Sequence, residues 1–521
     1  MPLSPPHASE ATRLLCVGTY LNTGYRDRVI EELYVNEQRF VAPSLGFDAG
    51  RILAHALRAR RLEQIWAGVA VALWVAGAVL SSGRLAVLLV PSLMLALASR
   101  LSDRDVDGPP LHQKVSAFLL RWCGRLLFTA CLLFLITGPA LGQAWTTPCL
   151  FALIALCAAS QRGQFARILT AELSPQRFPY AAGDPAEQAQ NPRLQRLKDQ
   201  VRIEQHAPLV MYHPARPFCG AGTAYNPWVL AVELNPNEDK QQQPISNRAV
   251  LDKIQPLVEG LRLPSESNSH LGRDRLRCLE LDECVFLPAE GLLRREEAPY
   301  NPQAFEDHRA RAVEEGAEKR RHFLRIRVSG WDEQLVVTVF VRIHTQGRML
   351  TLEITPHVLL PVREDFRNAD RTAHRFRHNN VLGKAAWAIT RVPGSAARSL
   401  AVLGKSVAYG WRLKTAGYAH ALPDGPALSV RELGSESAGA LFQQMDASRY
   451  VLAIQHRVVN GVRSALAESG YRTDEFAHQI TNISNGAVSV SHVEAGKFAA
   501  DDHVSASDMG DEPRRSRTPA P

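Results

Sequence analysis

Three groups of residues have types and spacings that chemistry could use. Gly404-Lys405-Ser406 ends like a phosphate-binding loop, in which backbone N–H groups cradle phosphates and a lysine reaches them. Such a loop needs a glycine five residues before its second glycine. Ser399 stands there, with no strand before it, so the match fails. His374 and His378 are four apart and would share a helical face, as a pair of metal ligands does. Arg371, Arg375 and Arg377 crowd them, which suits a phosphate contact better than a metal cation. Glu280 and Asp282 would share one face of a strand, as paired carboxylates do in acid–base catalysis. Leu279 and Leu281 alternate with them, so a solvated strand face is the simpler account. The eight cysteines (Cys16, Cys123, Cys131, Cys149, Cys157, Cys219, Cys278 and Cys284) contain no C-x2-C pair. They read as buried thiols in a reducing compartment, not as a zinc site or a disulfide framework. No G-x-S-x-G, H-E-x-x-H or dinucleotide fingerprint occurs. The expectation is that no catalytic residue, metal ligand or cofactor can be assigned.

Two other patterns carry more information. Pro217-Phe218-Cys219-Gly220-Ala221-Gly222, with Trp228 six residues on, places two glycines between strands. Glycines there serve a tight turn or let backbone approach a ligand. Phe218, Gly220, Gly222 and Trp228 are therefore candidates for a ligand-contacting turn. The second pattern is a seven-residue recurrence of Lys384, Arg391, Arg398, Lys405 and Arg412 in the apolar stretch 379–418. That spacing keeps the charges on one side of a helix. Trp387, Ile389, Leu400, Leu403 and Trp411 stand against them. This composition fits amphipathic helices packed on a soluble domain. It equally fits in-plane helices at an anionic membrane surface, with the five cations as its contacts. Pro393 and Gly394 divide the stretch in two.

The elements around these residues begin with four uncharged apolar segments, at 65–82, 85–99, 126–144 and 145–160. About 20 helical residues cross a hydrocarbon core, so the first and third come close to spanning and the second and fourth are short. A helix on the surface of a soluble domain keeps a polar face, and these segments have none. They predict two membrane hairpins. Pro91 and Pro139 fall inside them, and Gly68, Ala72 and Ala76 form a small-residue packing stripe. The start of the chain lacks the pattern of a signal peptide. Lys and Arg cluster before the first segment, between the second and third and after the fourth, whereas Arg84 alone marks the other side. Both ends and the bulk of the chain are therefore expected in the cytoplasm of a bacterial cell, anchored in its cytoplasmic membrane. The net charge of +8 is mostly explained by these flanks, and nucleic acid is not an expected partner.

After a linker at 161–204, the expected parts are an α+β domain at 205–365, the basic helices at 366–420 and a helical module at 421–500. A disordered tail is expected at 501–521. The α+β domain shows strands at 209–212, 227–234 and 279–287, a helix capped by Ser246, and a meander at 322–328, 334–343 and 349–360. Asp446 reads as the cap of a C-terminal helix, Asp474 opens another, and 487–493 alternates as a strand.

The Pro-Phe-x-Gly-x-Gly stretch, Phe40-Val41-Ala42-Pro43-Ser44, the meander around Gln346-Gly347-Arg348 and Ser429-Val430-Arg431-Glu432-Leu433 together resemble uncharacterised multi-pass membrane proteins of actinobacteria, the Streptomyces kind especially. The resemblance implies the same architecture and supplies no catalytic residues. It leads to a small aliphatic residue where this chain has Cys219. The expected role is a membrane-anchored, non-enzymatic interaction or assembly module that binds a protein partner or its own copies. The alternative is a membrane-tethered enzyme acting on lipid headgroups or nucleotides, with His213 and Arg216 beside the glycine turn.

Overall fold

Short polar side chains open the first helices. In a computed structural model of the protein, Ser9 accepts the Thr12 N–H to cap α1 (Glu10–Leu21), Asn22 caps α2 (Thr23–Ile30), and Asp48 caps α3 (Ala49–Leu80). The residues described are 5–480, except 44–45, 82–83, 103–110, 138–145, 189–191, 263–275, 277, 316, 332–333, 379, 416–420, 475, 477 and 479. The chain divides into two units, Met1–Thr473 and Asp474–Pro521. Everything below concerns the first. In the second, only Asp474, Phe476, His478 and Ile480 are described, and they are helical. The strand expected at 487–493, the expected tail, Pro139 and the turn at 142–145 lie outside the described residues.

Three helices are long and apolar enough to cross a membrane: α3, and those containing Lys114–Phe134 and Pro148–Glu172. Between the first two lies α4 (Leu89–Ser102), whose apolar stretch Leu85–Ala98 is shorter. At 1.5 Å per residue, 14 residues cover only ~21 Å of a ~30 Å core. The apolar segment expected from 126 starts earlier: α5 runs Leu111–Thr137, and its apolar part begins at Lys114, twelve residues before, while 138–144 lie outside the described residues. Val115, Phe118, Leu119 and Trp122 extend the apolar surface toward the N-terminus, past Arg121 and Arg125. After α6 (Thr146–Arg167) the chain returns alongside α3. Trp66 Nε1 donates to Gln164 Oε1 at 2.7 Å, and Arg58 pairs with Glu172.

Residues 161–204 form part of the body instead of a linker. α7 (Pro192–His206) buries Leu194, Leu197 and Val201. These join a core with Leu14, Val29, Ile52, Leu173 and Phe178 from earlier in the chain and with Val362, Phe366 and Val430 from later. The N-terminal helices and the C-terminal body therefore share one interior.

The later part of the chain is built on a seven-stranded mixed sheet. β1 (Leu209–Tyr212) pairs in parallel with β4 (Leu279–Pro288), and all other pairs are antiparallel. β4 joins the meander β5 (Arg321–Gly330), β6 (Leu335–Gln346) and β7 (Met349–Leu359), and both β2 (Thr223–Ala224) and β3 (Trp228–Glu233) pair with β7. Period-two alternation sends neighbouring residues to opposite faces. Val285 packs with Ala312 of α9 (Pro302–Glu314), whereas Phe286 meets Phe218. On the Val285 side lie α9, α8 (Asn247–Glu259) and α15 (Leu441–Glu468). Ser246 caps α8 as expected. Asp446 does not cap α15, which starts five residues earlier, where Gln443 Oε1 accepts the Ala440 N–H. Asp446 instead accepts the Trp331 indole N–H of the β5–β6 turn at 3.0 Å. Between β7 and α15 come α10 (Glu364–Arg367), α11 (Ala369–His378), α12 (Val381–Arg391), α13 (Ser395–Thr415) and α14 (Val430–Leu433).

Candidate functional site

The glycine turn is closed from within. Gly220 has φ +102° and Gly222 φ +98°, so their N–H groups converge as an anion-binding nest does. The anion is Glu432: Oε1 accepts the Gly220 N–H at 2.7 Å and the Gly222 N–H at 3.0 Å. Arg216 reaches Glu432 Oε2 at 3.4 Å and the Ala427 carbonyl at 2.7 Å. Burial raises the Glu432 carboxyl pKa; the two glycine N–H groups and Arg216 offset only part of that rise. A Cβ on Gly220 would stand 2.4 Å from the Pro43 carbonyl oxygen, and one on Gly222 2.3 Å from that of Val358. Both positions thus demand glycine for conformation and for space. Phe218 projects into an aromatic cluster, with ring centroids 4.8 Å from Phe340 and His357, 5.4 Å from Phe286 and 5.5 Å from Phe323. Burial there pulls His357 down to about 4. Burial raises the Cys219 thiol well above its ordinary value. The adjoining cavity is about 40 Å³, room for one or a few waters. Trp228 stands apart from the turn and opens β3 opposite Ile354.

Three stretches far apart in sequence meet at this clasp: 40–44 through Pro43, 217–222, and 429–433 through Glu432. The neighbouring Arg431 is wholly buried and donates to the Gln334 and Leu360 carbonyls and to Ser435 Oγ, at 3.0, 2.9 and 2.7 Å. Burial pulls it down to about 10, so it stays charged at neutral pH. His213 bonds within its own loop, its Nδ1 accepting the Ala215 N–H at 3.1 Å, and its Nε2 lies 3.8 Å from Asp424.

Proline and glycine split the basic stripe, and the structure assigns its members different partners. Lys384 Nζ donates to the Arg377 carbonyl at 2.9 Å, and Arg391 lies 5.0 Å from the Trp387 ring centroid. Arg398 ties the α12–α13 turn by donating to the carbonyls of Arg391 and Gly394, at 2.7 and 3.1 Å. Lys405 approaches Asp27 at 3.4 Å and Arg412 pairs with Glu31 at 3.0 Å. On α13, therefore, the charges of the stripe diverge: Arg398 serves the turn, and Lys405 and Arg412 pair with α2 and its C-terminal extension.

The helix pair packs neither on the sheet nor flat beneath the apolar helices. It stands among them. Gln64 of α3 donates to Ser406 at 2.7 Å, and Trp74 donates to Ser395 at 3.0 Å. Ten residues of α3, or ~15 Å, separate these two contacts, so α13 runs antiparallel along the apolar part of α3. At the turn, Val392 and Ala396 join Trp74, Leu88, Phe128 and Ile154 in one apolar cluster. Leu382 and Ile389 of α12, and Leu400, Val407 and Trp411 of α13, point outward; Val407 is 74% and Trp411 69% exposed.

The other sequence candidates have structural partners. Glu280 and Asp282 face Arg327 and Arg325 across the β4–β5 pair, at 3.1 and 2.5 Å, and so form a cross-strand ion ladder where a solvated face was expected. The His374 and His378 rings stack at 3.9 Å, and His378 Nδ1 donates to the His374 carbonyl at 3.0 Å. Two charge centres, the first of them buried, carry no motif. Asp184 accepts from Arg51 at 2.8 Å and lies 2.9 Å from His55 Nε2, whose Nδ1 is 3.2 Å from Tyr20 Oη. Burial would raise the Asp184 pKa, but the hydrogen bonds from His55 and Arg51 outweigh it and hold the carboxyl well below its usual range. Glu283 gathers Arg248, Arg309 and His322 onto one carboxylate. The only sequence hint of the first centre was a lone aspartate in a proline-rich stretch.

The family model of the AbeC-like domain matches residues 227–498, just over half of the chain. The chain belongs to the AbeC-like family. The AbeC-like stretch opens one residue before β3 and takes in the β5–β7 meander, α12 and α13, Glu432 and α15. The glycine turn and α1–α7 precede it, so the AbeC-like part is clasped at Glu432 by residues outside the match. No curated protein and no solved structure matches the chain.

Proposed function

We propose that this AbeC-like protein is an integral membrane protein whose soluble body is an interaction or assembly module. The observation that carries the reading is an outward apolar face. Helices α12 and α13 bury Ser399 and the small residues Ala388, Ala396 and Ala397, and leave Leu382, Ile389, Leu400, Val407 and Trp411 outside, continuous in kind with the exposed Val69, Val75, Leu126 and Leu153 of α3, α5 and α6. Water disfavours such a surface and hydrocarbon does not. In this reading α12–α13 is a re-entrant hairpin, its irregular turn sheltered among neighbouring helices as backbone in a bilayer must be. Parity supports four crossings. α3 leaves and α6 returns to a shared interior, so α4 and α5 form the pair between them, with α4 short and accommodated by local thinning. The basic flanks support a cytoplasmic position for that shared interior.

The module half of the reading rests on α15. Its Leu441, Met445 and Leu452 share one stripe with Phe442 beside it, all exposed, an apolar face on an otherwise charge-paired body. The enzyme alternative has less support, because the donors of its expected mouth, Gly220, Gly222 and Arg216, already serve Glu432. The test is light-scattering mass and co-purification of the full chain in mild detergent. The reading expects self-association or a stoichiometric partner that Phe442→Ser with Met445→Ser disperses. A monomer with nothing bound, indifferent to that change, would contradict it.

A further inference from the structure

The stripe of α13 faces a cleft of about 210 Å³ between α2, α3, α4 and α13. Its volume is several times the ~30 Å³ share of one water. Its walls carry four cations, Arg26, Arg60, Arg398 and Lys405, against two carboxylates, Asp27 and Glu63. Arg26 is held by Glu63 at 2.5 Å, and Lys405 stands 3.4 Å from Asp27. Arg60 instead lies 3.9 Å above the Tyr409 ring, and Arg398 bonds the two turn carbonyls. The cleft thus keeps an excess of two positive charges. Its position matters as much. Arg60 precedes by five residues the point, Ile65, where the uncharged run of α3 begins, and Ala96 of apolar α4 forms the opposite wall. This is the level at which polar body gives way to apolar helices, and in a bilayer lipid phosphates occupy that level.

We infer that this cleft holds the phosphate of an anionic phospholipid headgroup, with Arg60 and Lys405 as its cationic contacts. The inference rests on the membrane reading above. Guanidinium forks match phosphate oxygens in pairs, and a lysine adds a point charge. Tyr409 fixes the Arg60 plane, so the guanidinium is pre-positioned and less ordering remains for binding to impose.

The experiment is thermal unfolding of the full chain in zwitterionic detergent, titrated separately with phosphatidylglycerol, phosphatidylcholine and inorganic phosphate. Phosphatidylglycerol should raise the midpoint saturably and the other two should not at matched concentration. Arg60→Gln should weaken the apparent phosphatidylglycerol affinity about tenfold, the scale of one charge-assisted contact, and Arg60→Lys should restore most of it. Lys405→Gln, at an exposed position, gives a second reading where Arg60→Gln fails to fold. Equal shifts from both lipids, equal shifts from inorganic phosphate, or wild-type titrations in both glutamine variants would overturn the inference. A chain that stays dispersed without detergent would show that the membrane reading itself had failed; a detergent-dependent chain that does not distinguish the lipids would defeat the headgroup site alone.

Discussion

Glu432 answers two buried N–H groups at once, so its removal leaves both without an acceptor. A buried donor left unpaired costs ~1–3 kcal/mol. Glu432→Ala should therefore lower stability by roughly 2–4 kcal/mol, while Glu432→Gln, which keeps an acceptor oxygen, should cost far less. Gly220→Ala should match the alanine variant, since it adds an unfavourable φ to a clash with the Pro43 carbonyl. Chemical denaturation in detergent would rank the three. His357 supplies a pH signature. Its ordinary value is 6.5 and burial brings it to about 4, so between those values the unfolded chain binds a proton that the native chain does not. Stability fully present above pH 6.5 should fall toward pH 4, by about 3 kcal/mol in all. His357→Phe should flatten that window. Below about pH 4 a second loss should set in, because Asp184 is held below the usual carboxylate range and its unfolded form takes up the proton first. The glycine spacing at 217–222 announced a turn, but not what closes it. Glu432 is 212 positions from Gly220, and single-sequence patterns carry no information on such pairings.

Among the elements, those with a strong internal period were the most legible. β7 alternates apolar and polar residues over most of its length, β5 and β6 are rich in β-branched and aromatic residues, and their turns carry residues suited to positive φ, such as Gly347. The basic stripe was equally visible, yet its meaning was not. A seven-residue period says that charges share a side and leaves open what that side meets. Here Lys405 and Arg412 meet Asp27 and Glu31 while staying largely exposed, and the apolar side is exposed as well. That outward apolar side yields a prediction for Ile389, which is exposed beside the α12–α13 turn where Val392 and Ala396 meet Trp74. An aspartate at the bilayer centre costs roughly 2.5–3.5 kcal/mol, and on a solvated helix face close to nothing. Ile389→Asp should accordingly reduce the folded, membrane-inserted yield several-fold, while Ile389→Leu should not. Unchanged yield for the aspartate variant would place the α12–α13 turn in water.

At the scale of the whole molecule, the greasy character of the N-terminal third was plain from composition, and the limits of each helix were not. α5 begins well before its uncharged run because Val115, Phe118 and Leu119 continue the apolar surface across Arg121 and Arg125. Residues 161–204 looked like a linker because their sequence is polar and proline-rich. They pack because Phe178 lies under the Arg51 guanidinium, 3.7 Å away, and Asp184 holds that guanidinium from the other end. The result is a body in which early, middle and late segments share an interior on one side of the apolar helices, with one hairpin reaching back among them. The most direct measurement of this arrangement places a photoreactive benzophenone side chain at position 407 in the full chain, reconstituted in phospholipid nanodiscs. Illumination should give a covalent adduct with phospholipid, seen as the corresponding mass increase. Absence of lipid adducts at 407, under conditions where a benzophenone at position 75 on α3 gives them, would contradict the account.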